Sequence, residues 1–391
     1  MEPAPLAVAD ALDQLVHQFA DPLAFFRELI QNALDAGSHE VEVWLDFDAG
    51  SEDGEDDPEG VAIWRIEDWG EGMTRAIIER RLTRLFSSAK AEDRTKIGKF
   101  GIGFVSVFAI GPRAVVVDTS REGESWRVIF GQDTRYELRA LPAAVDGTKI
   151  RILRPMRRSQ HAEYAARARE VIAFWCRHCE GEIRVDGAPI NRPLDLDLDL
   201  KVREGSALGE IIVGHPGDGS TFFGLYNRGL TLLEGAHEPA LRGLHVKASS
   251  PLVEHTLTRD NVIRDRSYER LIEAIVALAR GPLCARVVEA IAGAQERGER
   301  VSAELYRALA WHVASGQTIA DELLARPILR AASGGLVSLG ELQRALGSRR
   351  RPLTAPAPTP LTAALEARGH LVLLASADAP IGPLVSALGG I

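Results

Sequence analysis

Between residues 25 and 36 apolar side chains fall at helical spacing: Phe25, Phe26, Leu29, Ile30, Ala33 and Leu34 make one face. Glu28, Asn32 and Asp35, at i, i+4 and i+7, share another. The period then changes from helical to alternating. Val41–Phe47, Val61–Ile66, Ala114–Asp118, Trp126–Phe130 and Thr148–Leu153 predict strands. Glu163–Trp175 predicts a helix and Glu182–Gly187 a hairpin. Leu194–Leu200 alternates Leu and Asp strictly, which predicts a half-buried strand with one acidic, solvated face. Gly209–Gly214, Thr221–Tyr226 and Gly243–Ala248 continue a strand-rich region, and Ser267–Ala279, Cys284–Gln295 and Ala303–Ser315 predict helices.

Breaks in the pattern divide the chain. Asp48–Gly60 is acidic and reads as a solvated hairpin loop; its carboxylates lack the twelve-residue calcium spacing. Ala355–Pro360 is Pro-rich and reads as a linker, leaving Leu361–Ile391 as a small capping element. The expected domains are therefore residues 1–193, 194–346 and 347–391.

Composition narrows the function classes. The chain of 391 residues is 46% hydrophobic and 26% charged, as in a globular protein of two or three domains. A formal charge of −9 argues against a broad nucleic-acid surface. No apolar run is long enough to span a membrane, and the N-terminus lacks a basic stretch followed by an apolar one. Three cysteines fit a reducing, cytoplasmic setting. Cys176-Arg177-His178-Cys179 could begin a zinc site or act in redox chemistry, but no second Cys pair follows, and inert thiols at a helix end are the expectation.

Three segments carry candidate chemistry. On the first helix, Glu28 can take a proton from water and the Asn32 oxygen can ligate Mg²⁺, though a solvated polar stripe explains the same pattern. After the strand at 61–66 comes Asp68-Trp69-Gly70-Glu71-Gly72-Met73. An Asp there can accept a hydrogen bond from an exocyclic amine such as that of adenine, or serve only as a cap, and the glycines permit close backbone approach. The third, Gly98-Lys99-Phe100-Gly101-Ile102-Gly103-Phe104, is a glycine-rich loop suited to phosphates. Its spacing is neither that of a dinucleotide fingerprint nor that of a Walker loop.

The ordered set, completed by Asp146-Gly147-Thr148, resembles the GHKL ATPase superfamily of gyrase, the ninety-kilodalton heat-shock chaperone, histidine kinases and MutL-type proteins. Phe26–Ala33 and Ile97–Phe104 most resemble the chaperone branch. The resemblance implies an α+β architecture: a two-layer α/β sandwich of the Bergerat type, helices on one face of a largely antiparallel sheet, then a middle-type α/β domain and a short C-terminal element. It implies ATP and Mg²⁺ as ligands, with Glu28 as general base and Asn32 as metal ligand. Asp68 would bind the adenine amine, supported by Gly70, Gly72 and Thr148, with Met73 against the base. Gly98, Lys99, Phe100, Gly101, Ile102 and Gly103 would wrap the phosphates, Asp35 would hold the ribose or adenine end, and Thr74–Lys96 would be the lid.

Leu257-Thr258-Arg259-Asp260 resembles an element of the chaperone's middle domain, which makes Arg259 the candidate for the γ-phosphate; Lys247 competes for that role. The resemblance also implies a protein client and a nucleotide-dependent homodimer. The chain departs from the chaperone in a shorter lid, in Gly37–Glu40 leading directly into a strand, and in the little sequence left for a dimerisation domain. Phe86-Ser87-Ser88-Ala89-Lys90 leans toward the MORC and MutL branches, ATP-gated clamps on nucleic acid. A nucleotide-binding module with little hydrolysis is a third expectation. No dimerising helix with a phospho-accepting His precedes the pocket, which disfavours a histidine kinase.

Overall fold

The structure is a computed structural model that describes residues 21–50, 57–83, 102–132, 135–235, 238–254, 262–315, 319–348, 351–377 and 380–388. The acidic loop at 51–56, the lid segment 84–96 with Phe86–Lys90, the glycine-loop residues Gly98, Lys99, Phe100 and Gly101, and Arg259 lie outside these residues. The chain divides into two compact units. The first holds the described residues up to Leu194 together with Arg228–Leu232, and the second Asp195–Asn227, Leu233–Glu254 and the described residues from Val262 on.

In the first unit the helix α1 (Phe25–Asp35) precedes β1 (Glu40–Asp48) and β2 (Glu59–Asp68). After the short helical turn Ile102–Val105 come β3 (Ala114–Arg121), β4 (Glu124–Gly131), β5 (Tyr136–Ala140) and β6 (Thr148–Arg157). The long helix α2 (Arg158–Cys176), β7 (Glu182–Val185) and β8 (Ala188–Pro189) close the unit. The strands form one sheet of eight in the order β5-β4-β3-β6-β2-β1-β7-β8. Neighbours run antiparallel except β1 and β7, which are parallel.

Alternation decides which side of this sheet is buried. Val41, Val43 and Leu45 of β1, Ala62, Trp64 and Ile66 of β2, Val115 and Val117 of β3, and Ile150 and Ile152 of β6 face a core shared with α1 and α2. Trp64 is fully buried, with the rings of Phe25 and Phe26 at 6.3 and 5.9 Å. Each of the larger apolar side chains contributes roughly 1.5–3 kcal/mol by burial. The opposite face carries ion pairs, among them Lys149 with Glu67 at 3.2 Å and Arg65 with Asp46 at 2.9 Å. A two-layer sandwich with helices on one face of a largely antiparallel sheet is therefore the observed architecture, as the motif order implied.

A five-stranded sheet in the order β12-β11-β13-β10-β9 lies largely in the second unit, with Leu230–Leu232 of β12 counted in the first. Its strands are β9 (Lys201–Ser206), β10 (Gly209–Gly214), β11 (Phe222–Asn227), β12 (Leu230–Glu234) and β13 (His245–Ser249). The helices α3 (Arg266–Leu278), α4 (Cys284–Glu296) and α5 (Ala303–Ala314) follow. Then come β14 (Pro327–Arg330), β15 (Leu336–Ser338), α6 (Leu339–Leu346), β16 (Leu353–Ala355), α7 (Pro360–Ala367), β17 (Val372–Leu374) and α8 (Gly382–Ala387). Ile291 of α4, Leu309 of α5, Ile328 of β14, Leu342 of α6, Leu373 of β17 and Leu384 of α8 share one buried core. The Pro-rich stretch lies between β16, which pairs in parallel with β17, and α7, capped by the Thr359 hydroxyl accepting Thr362 N–H at 3.2 Å.

The Leu/Asp alternation at 194–200 does not form a strand; the ladder starts at Lys201. Asp195 accepts the N–H of Leu196 at 2.8 Å and the Lys201 ammonium at 2.9 Å. Aspartates that satisfy nearby donors compete with a ladder, and this segment pairs with no strand. Among the described residues no helix is long and apolar enough to cross a membrane.

One polar contact inside the second unit has a measurable consequence. His215, just after β10, and His312 on α5 meet at 3.0 Å between their Nε2 atoms, both buried. Burial lowers His215 to about 4, and burial with the neighbouring His215 lowers His312 to about 3. Both values lie below the unfolded one, so the neutral pair is fully accommodated above about pH 6.5 and penalises folding as pH falls toward 4. Thermal melts at pH 7 and pH 5 should differ by about 2 kcal/mol per histidine. His312→Phe should remove about half of that difference or more; an unchanged pH dependence contradicts the assignment.

Candidate nucleotide-binding site

The site is built outward from the end of α1. Gly37 takes a left-handed φ of +79°, and its N–H bonds Leu34 O at 3.0 Å while Ser38 N–H bonds Ala33 O at 3.1 Å. This is the Schellman closure that Asp35-Ala36-Gly37-Ser38 favours. It leaves the Ser38 hydroxyl to accept Trp69 N–H at 3.0 Å and the Ala36 carbonyl to accept Glu71 N–H at 2.9 Å. The helix terminus thereby fixes the Asp68–Met73 loop against itself. A Cβ on Gly70 would stand 2.8 Å from Ala36 O, so only glycine permits that approach.

Along α1 the polar face runs from buried to exposed. Glu28 is 2% exposed, whereas Asn32 and Asp35 reach the surface. Gly103, the last glycine of the third motif, lies against Glu28: a Cβ there would stand 2.5 Å from Glu28 Oε2. The helical turn Ile102–Val105 begins at that point, and the Ser106 hydroxyl donates to Gly103 O at 2.5 Å. Asp35 stands 3.7 Å from the Arg228 guanidinium in the same unit. The Asn32 side chain forms no hydrogen bond among the described residues, which leaves its amide oxygen able to ligate a hard cation.

Asp68 ends β2 and pairs in register with Thr148, the first residue of β6. Its Oδ1 accepts Gly70 N–H at 2.9 Å and Thr148 N–H at 3.2 Å. Burial raises its carboxyl above the ordinary 3.8, opposed by these two hydrogen bonds. Its Oδ2 bonds nothing among the described residues and can accept a donor from a ligand. Gly147 makes this pairing possible: its φ is +62°, and a Cβ there would lie 2.1 Å from Asp68 O. Gly72 is as constrained, with φ +66° and a Cβ position 2.1 Å from Ser120 O. Met73 is half-buried against the core, and its N–H bonds the Thr119 hydroxyl at 2.9 Å.

The structure thus gathers Asp68, Gly70, Gly72, Met73 and Thr148 around the C-terminal end of α1 and the adjoining ends of β2 and β6, while Glu28, with Gly103 against it, lies in the first turn of the same helix. Asn32 and Asp35 lie on the same helix. Lys247 lies on β13 of the second unit, its ammonium 5.9 Å from the Tyr226 ring centroid. Ser38 and Thr119 were missed by the sequence motifs. Neither sits in a recognisable pattern: one follows a helix cap, and the other is a threonine in the apolar run Val115–Val117 extended by Asp118. Cys176 and Cys179 are buried at the end of α2, and burial pushes the Cys176 thiol well above its usual value.

Residues 25–137 match a family model described as histidine kinase-, DNA gyrase B- and HSP90-like ATPase. The matched segment lies in the first unit and carries all three motifs. The chain is 34% identical over 142 residues to the chaperone protein HtpG of Coxiella burnetii, covering 28% of this chain and 21% of the chaperone. The HtpG of Actinobacillus pleuropneumoniae is 26% identical over 234 residues, 52% of this chain and 34% of its own. The DNA mismatch repair protein MutL of Shewanella amazonensis is 28% identical over 137 residues, 34% of this chain and 19% of that protein. In each case the match spans about a third or less of the relative's length.

Proposed function

We propose that the first unit binds ATP with magnesium and hydrolyses it slowly, and that binding closes a lid and alters the relation between this domain and the middle-type domain that follows residue 193. The observation carrying this reading is the buried Glu28 carboxylate lying against Gly103, which joins the expected base to the expected phosphate loop. Asp68 accepts the adenine amine through Oδ2, and Gly72 and Met73 line the base. Glu28 takes the proton from the attacking water, and Asn32 holds Mg²⁺, which neutralises phosphate charge when bound. The glycine loop from Gly98 wraps the phosphates, and Arg259 supplies a cation to the γ-phosphate, with Lys247 as the competing residue.

The similarity to HtpG favours a chaperone-type cycle on a protein client over the clamp on nucleic acid that the MutL match supports. ATP turnover by the full chain, measured alone and with an unfolded protein, duplex DNA or RNA, tests this. Stimulation by the unfolded protein alone is expected. Stimulation by nucleic acid alone transfers the reading to the clamp class, and no turnover under any condition reduces it to nucleotide binding.

A further inference from the structure

Thr119 carries more hydrogen bonds than a strand threonine in an apolar core needs, and their order can be worked out. It is fully buried and sits on β3 directly opposite Thr148, in the same register row as Asp68. Its hydroxyl donates to Gly147 O at 3.2 Å and accepts Met73 N–H at 2.9 Å. The third contact, 3.1 Å to Thr148 Oγ1, could in isolation run either way. A threonine hydroxyl has one proton. Assigning that proton to Gly147 O, which can only accept, makes the Thr148 hydroxyl the donor to Thr119. The relay runs Thr148 to Thr119 to Gly147, and Thr148 has only acceptor lone pairs left for a ligand. Beside it stands the carboxylate of Asp68, whose Oδ1 already serves Gly70 and Thr148 N–H.

Resting on the nucleotide-binding reading, we infer that Thr119 is a specificity-determining positioning residue: it fixes the Thr148 hydroxyl as an acceptor, so that the base end of the site is acceptor-only and selects 6-amino over 6-oxo purines. A 6-oxo group would set its carbonyl oxygen against acceptors. Thr119 touches no base in this arrangement; it acts through Thr148 and, by holding Met73 N–H, through the loop beneath the ring. Without Thr119, the Thr148 proton is free to turn toward the ligand and satisfy an oxo group.

The test is titration calorimetry of ATP against inosine triphosphate, which differ at the 6-position, on the full chain. In Thr119→Val the ATP preference should shrink about tenfold, a change of about 1.4 kcal/mol, while Thr119→Ser, which keeps the hydroxyl, should retain the wild-type ratio. Thr148→Val should shrink the ratio by a similar factor, and the double variant should lose no more than either alone. A folded Thr119→Val with the wild-type ratio, or additive losses in the double variant, overturns the inference. If Thr119→Val does not fold, an unchanged ratio in Thr148→Val overturns it equally. Wild-type protein that binds neither triphosphate defeats the nucleotide reading itself, a different outcome from tight binding without the Thr119 effect.

Discussion

Glu28→Ala is expected to stop ATP turnover while nucleotide binding persists. The carboxylate is buried on α1, one turn before Asn32 and in contact with the position of Gly103, the last glycine of the third motif. A positioned general base contributes roughly a hundredfold to ten-thousandfold in rate, so turnover should fall by at least the lower figure. Binding should hold, because removing an anion beside the phosphates costs no attraction. Glu28→Gln separates chemistry from packing: it fills the same space and cannot take the proton. Single-turnover hydrolysis and equilibrium binding of ATP by both variants check the assignment, and wild-type rates in Glu28→Gln would remove Glu28 from the chemistry.

The second large effect is expected at Asp68. In Asp68→Asn the amide oxygen can still accept Gly70 and Thr148 N–H, but an N–H₂ group replaces the acceptor Oδ2. A donor then faces the donor of the base. Loss of a hydrogen bond to a charged group costs about 2–3 kcal/mol, close to a hundredfold in Kd. Folding should not suffer. Burial raises this carboxyl above its unfolded value, so its charged form opposes folding at neutral pH and its neutral form is accommodated at lower pH. Asp68→Asn should therefore melt at or above the wild-type temperature while losing ATP in calorimetry. Nucleotide affinity of the wild type should likewise decline as pH falls toward the raised value, because the proton occupies the acceptor. Wild-type affinity in the variant would contradict the site.

Much of this site was legible in the residue order because its parts are local. The Glu28–Asn32–Asp35 face follows from helical period, whereas the reason for glycine at 70, 72 and 103 is tertiary, since the groups a side chain would strike there belong to Ala36, Ser120 and Glu28. The limits were equally physical. Leu194–Leu200 has the alternation of a strand, yet a strand needs a partner, and Asp195 spends its carboxylate on Leu196 and Lys201 instead. Thr119 carries no local mark, since its importance lies in contacts with Met73, Gly147 and Thr148, distant in sequence. The buried pair His215 and His312 was invisible for the same reason: 97 positions separate them.

The sequence by itself determined the helix and strand periods of the first unit, the left-handed closure of α1 at Gly37 and the set of groups available for nucleotide chemistry, because these depend on residue type and on neighbours a few positions apart. The tertiary structure alone decided that Glu28 is buried while Asn32 and Asp35 are exposed, that the α1 terminus is tied to the Asp68 loop through Ser38 and Ala36, and that the Thr119 hydroxyl meets the Thr148 hydroxyl, Gly147 O and Met73 N–H. Those outcomes depend on which strands become neighbours, and strand pairing is set by burial of the whole inner face rather than by any one segment.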